Sequence, residues 1–391
     1  MSNYFENGTD LDSIYVRRDA YSGNLRKSGL YAAGLNANGE LGLGSTGTPV
    51  GMAKVVGYDG LTNLSISPDF AMFSDGGGLY FSGINDRGEF GDSTITNRVT
   101  FTSDAPLWLA TYDVLQSVST GNGFTAAIVG NTLWTWGAGS DGRLGSGSVA
   151  NRSSLVQVGT LTNWKTVSCG TSHAISIKTD GTMWAWGGNA EGALGTGNVT
   201  SRSSPVQIGS STNWILGYGC GAPAEFADGI GRSLSFAIKN NGTLWSWGWN
   251  GQGQLGLGDT QSRSSPTQVG VYGGWASVSC RMKTTMAIKD DGSLWGWGWN
   301  GQGQLGLGDT LPRSTPIQIG SLTDWAMVSA GGGHVIAIKK DGTLWGWGDN
   351  QYGQLGATGF SSVSSPVQIG TASNWVDIKA GFVNSFFYCS K

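Results

Sequence analysis

Residue types that could support catalysis are scarce in this 391-residue chain, which contains only two histidines, His173 and His334. A general base works together with a nucleophile and an orienting group, and the sequence offers no such constellation. Both histidines fall at one position of an internal repeat, where other copies carry Phe124, Leu234, Thr284 and Asn384. We therefore predict that both are buried loop residues bonded to backbone groups, and that the protein is not an enzyme.

The sequence Gly-Gln-Gly-Gln-Leu-Gly at residues 251–256, copied at 301–306, matches the glycine fingerprint of dinucleotide-binding sites. In a true site the fingerprint opens a helix whose N-terminus meets the pyrophosphate. Here the glycines belong to a repeated turn with no helical pattern after it, so we predict no cofactor. The carboxylates of Asp180, Asp291 and Asp341 each precede a glycine, which indicates hairpin turns.

The four cysteines are too few for a disulfide framework in a chain of this length. Cys169 and Cys280 occupy equivalent positions in the repeat, and Cys220 lies near that position. This placement suits small, buried apolar side chains. We expect neither a disulfide nor a bound metal.

An arginine also recurs in the repeat, within Arg-Ser-Ser or Arg-Ser-Thr, at Arg152, Arg202, Arg263 and Arg313. Arg98 is a weaker member of this series. A ring of guanidinium groups on one face could bind an anionic glycan or a phosphate. Alternatively, each arginine bonds carbonyl groups of a neighbouring repeat. We favour the second interpretation, because a structural role recurs with every copy of a repeat.

The elements that would position these residues come from a motif present in seven copies, seen most clearly at residues 344–356, Leu-Trp-Gly-Trp-Gly-Asp-Asn-Gln-Tyr-Gly-Gln-Leu-Gly. The copies follow each other roughly every 50 residues, a period typical of propellers and arrays. The longest step contains an insertion of about 11 residues between Cys220 and Phe236. The glycine that follows the Trp-x-Trp pair marks the seven copies: Gly34, Gly83, Gly137, Gly187, Gly248, Gly298 and Gly348.

Each repeat shows the pattern of short strands. Residues 337–345, Ala-Ile-Lys-Lys-Asp-Gly-Thr-Leu-Trp, form two apolar runs joined at Asp-Gly, a hairpin signal that places residues with positive φ in the turn. Trp-x-Trp alternates, so both rings of a pair lie on one face of a strand. No stretch has a sustained helical period, and the sequence predicts an all-β protein.

The chain ends predict closure of the repeats into a ring. The first copy begins at Leu30 and lacks the first half of a repeat, and the missing half stands at the C-terminus, in 374–378 and 384–389. Sharing one repeat between the termini removes the free sheet edges of an open array. We predict an N-terminal arm over residues 1–27 and one propeller over residues 28–391.

Two stretches, 167–187 and 328–348, contain Gly-x-x-His, and the chain repeats Trp-Gly-x-Asn-x-x-Gly-Gln-Leu-Gly. These elements resemble the repeat of the regulator-of-chromosome-condensation family, and the resemblance covers roughly residues 28–391. It implies a seven-bladed β-propeller in which N- and C-terminal strands complete one blade.

The charge and the apolar content of the chain argue against some classes of binding partner. The net charge of −3 gives no basic field for nucleic acid, and no apolar run is long enough to span a membrane. The N-terminus lacks the basic and apolar regions of a secretory signal. The 67 glycines and 18 tryptophans fit tight turns and aromatic packing between repeats. We therefore expect protein or glycan partners and no membrane insertion.

Departures from the repeat are better candidates for binding than the repeat itself, since function resides in sites added to a scaffold. The insertion presents Glu225, Phe226 and Asp228. Trp249 and Trp299 stand where other copies have smaller residues, and either pack between repeats or stack on a sugar or a protein partner. A lengthened connection at 102–112 adds a further candidate, Trp108.

The arm alternates apolar and polar residues and ends in two basic residues: Leu11, Ile14, Tyr15, Val16, Arg17 and Arg18. Its sequence is similar to leaders of tail and fibre proteins of bacterial viruses. An extended arm of this kind can add to a sheet edge of a neighbouring protein. We therefore expect a non-enzymatic virion component of tail, fibre or capsid, anchored by the arm and contacting a host protein or glycan. The alternative is a cellular or secreted binding module, such as an inhibitor or scaffold, and in that case the expected location is the cytoplasm.

Overall fold

Seven four-stranded antiparallel sheets, here called blades, surround a common axis in the computed structural model of this chain. The innermost strands contact each other in cyclic order, and the last contacts the first, so the ring is closed. The structure describes residues 29–390 except 48–50, 56–60, 62, 76–77, 104–114, 223–231, 272, 358 and 360. This architecture confirms the predicted all-β, seven-bladed propeller.

Each blade has an inner strand a, middle strands b and c, and an outer strand d. Blade 7 uses both chain ends: its strands c and d are β1 (Gly29–Gly34) and β2 (Ala53–Val55), and its strands a and b are β27 (Trp375–Ala380) and β28 (Asn384–Cys389). Blades 1 to 3, each from a to d, are β3 (Asn63–Ile66), β4 (Phe70–Ser74), β5 (Leu79–Gly83), β6 (Arg98–Ser103); β7 (Leu115–Thr120), β8 (Phe124–Val129), β9 (Thr132–Gly137), β10 (Arg152–Gln157); β11 (Trp164–Cys169), β12 (His173–Lys178), β13 (Met183–Gly187), β14 (Arg202–Gln207).

The remaining three blades follow the same order. Blades 4 to 6, each from a to d, are β15 (Trp214–Ala222), β16 (Arg232–Lys239), β17 (Leu244–Gly248), β18 (Arg263–Gln268); β19 (Trp275–Arg281), β20 (Thr284–Lys289), β21 (Leu294–Gly298), β22 (Arg313–Gln318); β23 (Trp325–Ala330), β24 (His334–Lys339), β25 (Leu344–Gly348), β26 (Val363–Gln368). In the part of the chain that the structure describes, the helical content is one 3-10 turn, Ser140–Gly142.

Closure occurs where the sequence predicts it. Strand β28 pairs antiparallel with β1, so that Leu30 lies opposite Tyr388 and Ala33 lies opposite Ser385. The four strands of blade 7 follow the order β2-β1-β28-β27, which leaves no gap between the N- and C-terminal halves of the ring. The split blade is thereby confirmed.

Adjacent blades are joined by a buried tryptophan in strand c. Trp247 is fully buried, and its indole Nε1 donates a hydrogen bond of 2.7 Å to the carbonyl oxygen of Ala193 in the preceding blade. Its ring lies against Gly195, where a Cβ atom would come within 2.8 Å of Nε1. The Leu-Gly that ends each motif therefore provides the flat surface on which the next tryptophan packs. The same bond recurs at Trp136, Trp186, Trp297 and Trp347.

The weaker copies replace this ring with other groups. In blade 1 the tryptophan position holds Ser82, whose hydroxyl donates a bond of 2.6 Å to the carbonyl oxygen of Gly39 in blade 7. The aromatic contact is supplied by Phe101, whose ring packs on Gly42. The connection between blades is therefore maintained although the motif has changed.

The asparagine of the motif organises the long c–d loop. In blade 4, Asn250 Oδ1 accepts a bond of 2.9 Å from the Leu255 amide, and its Nδ2 donates 3.0 Å to the carbonyl oxygen of Asp259. One side chain thus holds both ends of the loop, which explains why asparagine stands here rather than another polar residue. Equivalent pairs of bonds are made by Asn36, Asn85, Asn189, Asn300 and Asn350.

The b–c hairpins differ from the prediction in turn type. At Asp180-Gly181 only the glycine has a positive φ, of 76°, and Lys178 N donates to Thr182 O, which leaves three residues in the loop. This geometry corresponds to a type I turn followed by a left-handed glycine. The Asp180 carboxylate accepts bonds from the amide and hydroxyl of Thr182, so its role is to hold the turn.

A lysine at the end of strand b packs between two tryptophans, a feature that was not identified from the sequence. Lys178 Nζ lies 3.8 Å from the ring centre of Trp184 and 4.6 Å from that of Trp164. Both rings contact the same cation. Trp164 also lies 6.1 Å from the ring of Trp184 and 6.3 Å from that of Trp186, so the two rings of this Trp-x-Trp pair lie on one face as predicted. Burial lowers the pKa of Lys178. The arrangement recurs at Lys239, Lys289 and Lys339.

The expectation of no disulfide is wrong. Cys220 and Cys280 form a disulfide with a Cα–Cα distance of 5.9 Å, which links the inner strands of blades 4 and 5. The two residues are far apart in sequence, and only the packing of neighbouring inner strands brings them together. Cys169 and Cys389 are free, and burial raises the pKa of the Cys169 thiol to about 12.

We expect Trp247→Ala to lower the free energy of unfolding by roughly 3–5 kcal/mol, because it leaves a cavity between two blades. Trp247→Phe should cost less, since it keeps most of the ring contact. Urea unfolding followed by fluorescence measures both changes, with the exposed Val149→Ala as control. An unfolding midpoint unchanged in Trp247→Ala would contradict the role given to this residue.

Deleting residues from Trp375 onward should open the ring, because β1 would lose β28 as its partner. The exposed strand edge and aromatic surfaces should then cause aggregation. Size-exclusion chromatography compares this protein with a control that lacks only Ser390 and Lys391. A monomeric truncated protein with an unchanged melting temperature would rule out this account of closure.

Candidate functional site

The alternation of strand direction gives the ring two different faces. The a–b turns and the c–d loops lie on one face, here called the loop face, and the b–c hairpins and d–a connections lie on the opposite face. In blade 4, strand a ends at Ala222 and strand b begins at Arg232, both on the loop face, and the insertion is the sequence between them. Its predicted binding residues Glu225, Phe226 and Asp228 lie outside the described residues.

The described ends of the insertion extend the a–b hairpin of blade 4. Gly221 pairs with Ser233, and Ala222 pairs with Arg232, so β15 and β16 are longer than their counterparts in other blades. Arg232 also forms an ion pair with Glu191 in the preceding blade. The base of the insertion is thus anchored to the ring.

The two extra tryptophans lie on the loop face in neighbouring blades but differ in exposure. Trp249 is 9% exposed, and the Arg232 guanidinium lies 5.2 Å from the centre of its ring. This ring is therefore covered by its own blade and presents little surface to a partner. Trp299 is half-buried and packs on Gly301, and it retains accessible ring surface.

The remaining predicted residues lie outside the described residues. The connection that carries Trp108 runs from Ser103 to Leu115, and both of these ends are on the opposite face. The arm residues Leu11, Ile14, Tyr15, Val16, Arg17 and Arg18, like Trp108 itself, lie outside the described part of the chain. The arm leads into Gly29, the first residue of β1, which is also on the opposite face.

The histidines connect blades through hydroxyl groups. His173 Nε2 lies 2.9 Å from Ser235 Oγ in the next blade, and this hydroxyl donates to the carbonyl oxygen of Ala193 at 2.7 Å. The hydroxyl proton is thus committed, so Nε2 is the protonated ring nitrogen and donates. His334 Nε2 makes the same contact with Ser385 Oγ, at 2.8 Å.

Both histidines are buried at the start of strand b, whereas the sequence prediction gave them loop positions and backbone partners. Burial lowers the pKa of His173 to about 4 and that of His334 to about 3. Their imidazoles are therefore neutral and inaccessible at neutral pH. This geometry fits a structural connection between blades rather than a general base.

Three members of the arginine series have structural partners, which differ from those predicted. Arg263 forms an ion pair of 2.6 Å with Asp259, within its own c–d loop rather than with a neighbouring blade. Arg98 and Arg313 form equivalent pairs of 2.6 Å with Asp92 and Asp309. In blades 2 and 3, Arg152 and Arg202 are exposed, and neither pairs with a carboxylate of the described residues. These two blades therefore present free positive charge on the loop face.

Two buried carboxylates occupy the glutamine position of the motif. Glu40 Oε2 accepts a bond of 2.8 Å from the Asn38 amide, and Glu89 Oε2 accepts 2.9 Å from the Arg87 amide. Gln254 makes the same bond to Gln252 N at 2.9 Å, so glutamate replaces glutamine with little change in shape. Burial raises the pKa of both Glu40 and Glu89 to about 7.

The described residues contain no group of three or more potential metal-ligating side chains. No helix in the described part of the chain has the length and apolar character needed to cross a membrane.

We expect Glu40→Gln to stabilise the protein above neutral pH. The folded pKa of about 7 exceeds the unfolded value, so the wild type loses stability as pH rises from about 4.5 to 7. The variant keeps the hydrogen bond without the buried charge and should gain about 1–3 kcal/mol at pH 8, and little at pH 4. Urea unfolding at both pH values measures the gain, with the exposed Asp86→Asn as control. An equal effect at both pH values would contradict the assignment.

Comparison with known proteins supports the description of the fold. The family model of the RCC1-like domain matches residues 71–387. The structure of Prp20p from Saccharomyces cerevisiae superposes with a TM-score of 0.82 at 17% identity, covering 97% of this chain and 94% of that chain. Human WBSCR16 superposes with a TM-score of 0.80 at 19% identity, covering 94% of this chain and 100% of that chain.

A second structure of the yeast protein, titled as Kap60 bound to yeast RCC1 (Prp20), gives a TM-score of 0.81 at 15% identity, with 100% and 95% of the two chains covered. At these identities the superpositions demonstrate a common fold alone. The family model, in contrast, spans well over half of the sequence and includes the repeated motifs described above. This chain therefore belongs to the RCC1-like domain family.

Proposed function

We propose that the protein is a non-enzymatic binding propeller that recognises its partner through the loop face. The observation that carries this proposal is the location of the departures from the repeat. The extended hairpin of blade 4, the Cys220–Cys280 disulfide and the half-buried Trp299 all lie toward this face in blades 4 and 5. The remaining motifs recur with the same geometry from blade to blade, and their role is to hold the scaffold together.

Surface charge supports the same face. Arg152 and Arg202 are exposed in blades 2 and 3, where the c–d loops carry Ser148 and Asn198 instead of the aspartate found in blades 4 and 5. Guanidinium groups without a carboxylate partner in their own loop are available to acidic groups of another molecule. These arginines and Trp299 share the loop face, and their chemistry suits an acidic protein or an anionic glycan.

The similar solved structures are consistent with a binding role. The titles of the yeast structures describe binding of Prp20p to Gsp1p and histones, and a complex with Kap60. Those partners belong to the yeast protein, and we transfer only the type of interaction, which is protein–protein recognition by a propeller. The neutral, buried histidines of this chain support the absence of catalytic activity.

We further propose that the propeller is a component of a bacteriophage particle, anchored by its N-terminal arm and directed toward the host. The resemblance of the arm to leaders of tail and fibre proteins supports this location. Gly29, the first described residue after the arm, lies on the face opposite the loop face, and an anchor on that side would leave the loop face free. The alternative is a cellular or secreted inhibitor or scaffold that uses the loop face without a particle.

A chain that starts at Ser28 should fold normally but fail to enter particles, because the proposed anchor is removed. Quantitative mass spectrometry of purified particles measures its copy number relative to the full-length chain. Equal incorporation of both chains would contradict the anchor. Absence of the full-length chain from particles would reject the virion location and favour the cellular module.

A matched variant tests the loop face separately. The double substitution Arg152→Glu and Arg202→Glu changes only exposed groups and should leave both folding and incorporation unchanged. We expect it to reduce adsorption of the particles to host cells by at least about tenfold, because charge reversal opposes an acidic partner. The control is Arg263→Gln and Arg313→Gln, whose arginines are already paired. Equal adsorption in all three proteins would exclude this face.

A further inference from the structure

The central channel is unevenly covered at the loop face. Met282 of blade 5 packs against the buried Phe382 of blade 7. The two side chains approach over the glycine-rich turn of blade 6, where the Gly332 amide donates a bond of 3.0 Å to the carbonyl oxygen of Phe382. A Cβ atom at Gly332 would collide with Phe382. This half of the channel mouth is therefore closed by apolar side chains.

The other half of the mouth is an open cavity of about 50 Å³. The a–b turns of blades 1 to 5 line it, and polar groups dominate its wall. Its polar side chains are Ser67, Thr120, Asn122, Thr171 and Arg281. The size and the polar wall of this cavity suit a small polar ligand.

Arg281 departs from the repeat, because Gly121, Gly170, Gly331 and Gly381 stand at the equivalent position in four other blades. Its side chain crosses the channel, and Nη2 donates a bond of 2.8 Å to the carbonyl oxygen of Ile66 in blade 1. Among the described residues, no carboxylate forms an ion pair with it. Burial in the channel lowers the pKa of this arginine to about 10.

The backbone around Arg281 is held in place on both sides. Cys280 forms the disulfide to Cys220 in the neighbouring blade. Met282 has a left-handed φ of 54°, and its amide donates a bond of 3.2 Å to the carbonyl oxygen of Gly221. The disulfide, the arginine and the strained methionine thus form one continuous departure from the repeat, which fixes the guanidinium before any ligand binds.

The half-buried guanidinium of Arg281 has lost part of its hydration without gaining a counter-ion, and a ligand that supplies the missing negative charge recovers part of that cost. We propose that the open half of the channel mouth is a carboxylate-binding site with Arg281 as its charged anchor. A guanidinium has five N–H donors, and the bond to Ile66 uses one of them. The remaining donors suit a carboxylate, and Thr171 and Asn122 add further polar groups to the wall.

The size of the cavity suits one carboxylate group with a short stem. Two sources have this chemistry: a small free acid, or an aspartate or glutamate side chain of a protein that covers the loop face. The site does not depend on the proposed virion location, because a free carboxylate can be tested on the isolated protein.

Isothermal titration calorimetry of the intact protein with sodium acetate, against sodium chloride at equal ionic strength, tests the site. We expect acetate to bind the wild type and to bind Arg281→Gln at least about tenfold more weakly. Arg281→Gly, which restores the residue of the other repeats, should behave like Arg281→Gln and provides a second folded variant. Arg313→Gln serves as control, because its guanidinium is on the same face but is paired with Asp309.

A second pair of probes identifies the source of the carboxylate. Acetyl-Gly-Asp-Gly amide should bind the wild type and acetyl-Gly-Asn-Gly amide should not. A peptide affinity above that of acetate indicates an acidic protein side chain, whereas equal affinities indicate a small free acid. The proposal is overturned if neither acetate nor the aspartyl peptide binds the wild type at tens of millimolar, or if binding is unchanged in both Arg281 variants.

Discussion

The ring depends on one contact repeated between blades, in which a buried indole donates to a carbonyl group of the preceding blade. The bond from Trp247 to the Ala193 carbonyl, at 2.7 Å, is representative. A buried N–H needs an acceptor, and the acceptor is accessible only because Gly195 has no Cβ atom to separate the ring from the backbone. Tryptophan and glycine at these positions are therefore one structural unit, and the composition of the chain follows from it.

The two faces of the ring have different properties. On the opposite face, Lys178 lies between Trp164 and Trp184, and the same packing of a lysine between two tryptophans recurs in three further blades. A large part of that face therefore has the same structure from blade to blade. On the loop face, a single asparagine holds the long loop from within in six of the seven blades, as Asn250 does in blade 4. Because that network is internal to the loop, neighbouring positions can vary without loss of the blade, and binding residues can accumulate there.

On the loop face, ionisable residues occupy some positions that hold neutral residues in other copies of the repeat. Glutamate stands in for glutamine at Glu40 and Glu89, and arginine stands in for glycine at Arg281. The two carboxyl groups retain the hydrogen bond of the glutamine and remain neutral at moderately low pH. Arg281 keeps its charge and faces a cavity. The same scaffold therefore accommodates glutamates whose ionisation affects stability and an arginine that is available to a ligand.

The sequence by itself determined the number of blades, the split closure and the burial of the motif tryptophans, because these follow from a period and from contacts that every repeat makes in the same way. Tertiary structure decided the disulfide between Cys220 and Cys280, the bond from His173 to Ser235 and the reach of Arg281 to Ile66. It also decided that Arg232 covers Trp249. The disulfide and the bond from His173 join neighbouring blades, Arg281 reaches Ile66 across the channel, and Arg232 meets Trp249 within one blade, so each contact depends on how the fold places separate strands and turns. The period of the sequence does not specify which side chains meet at these places, whereas the folded ring does.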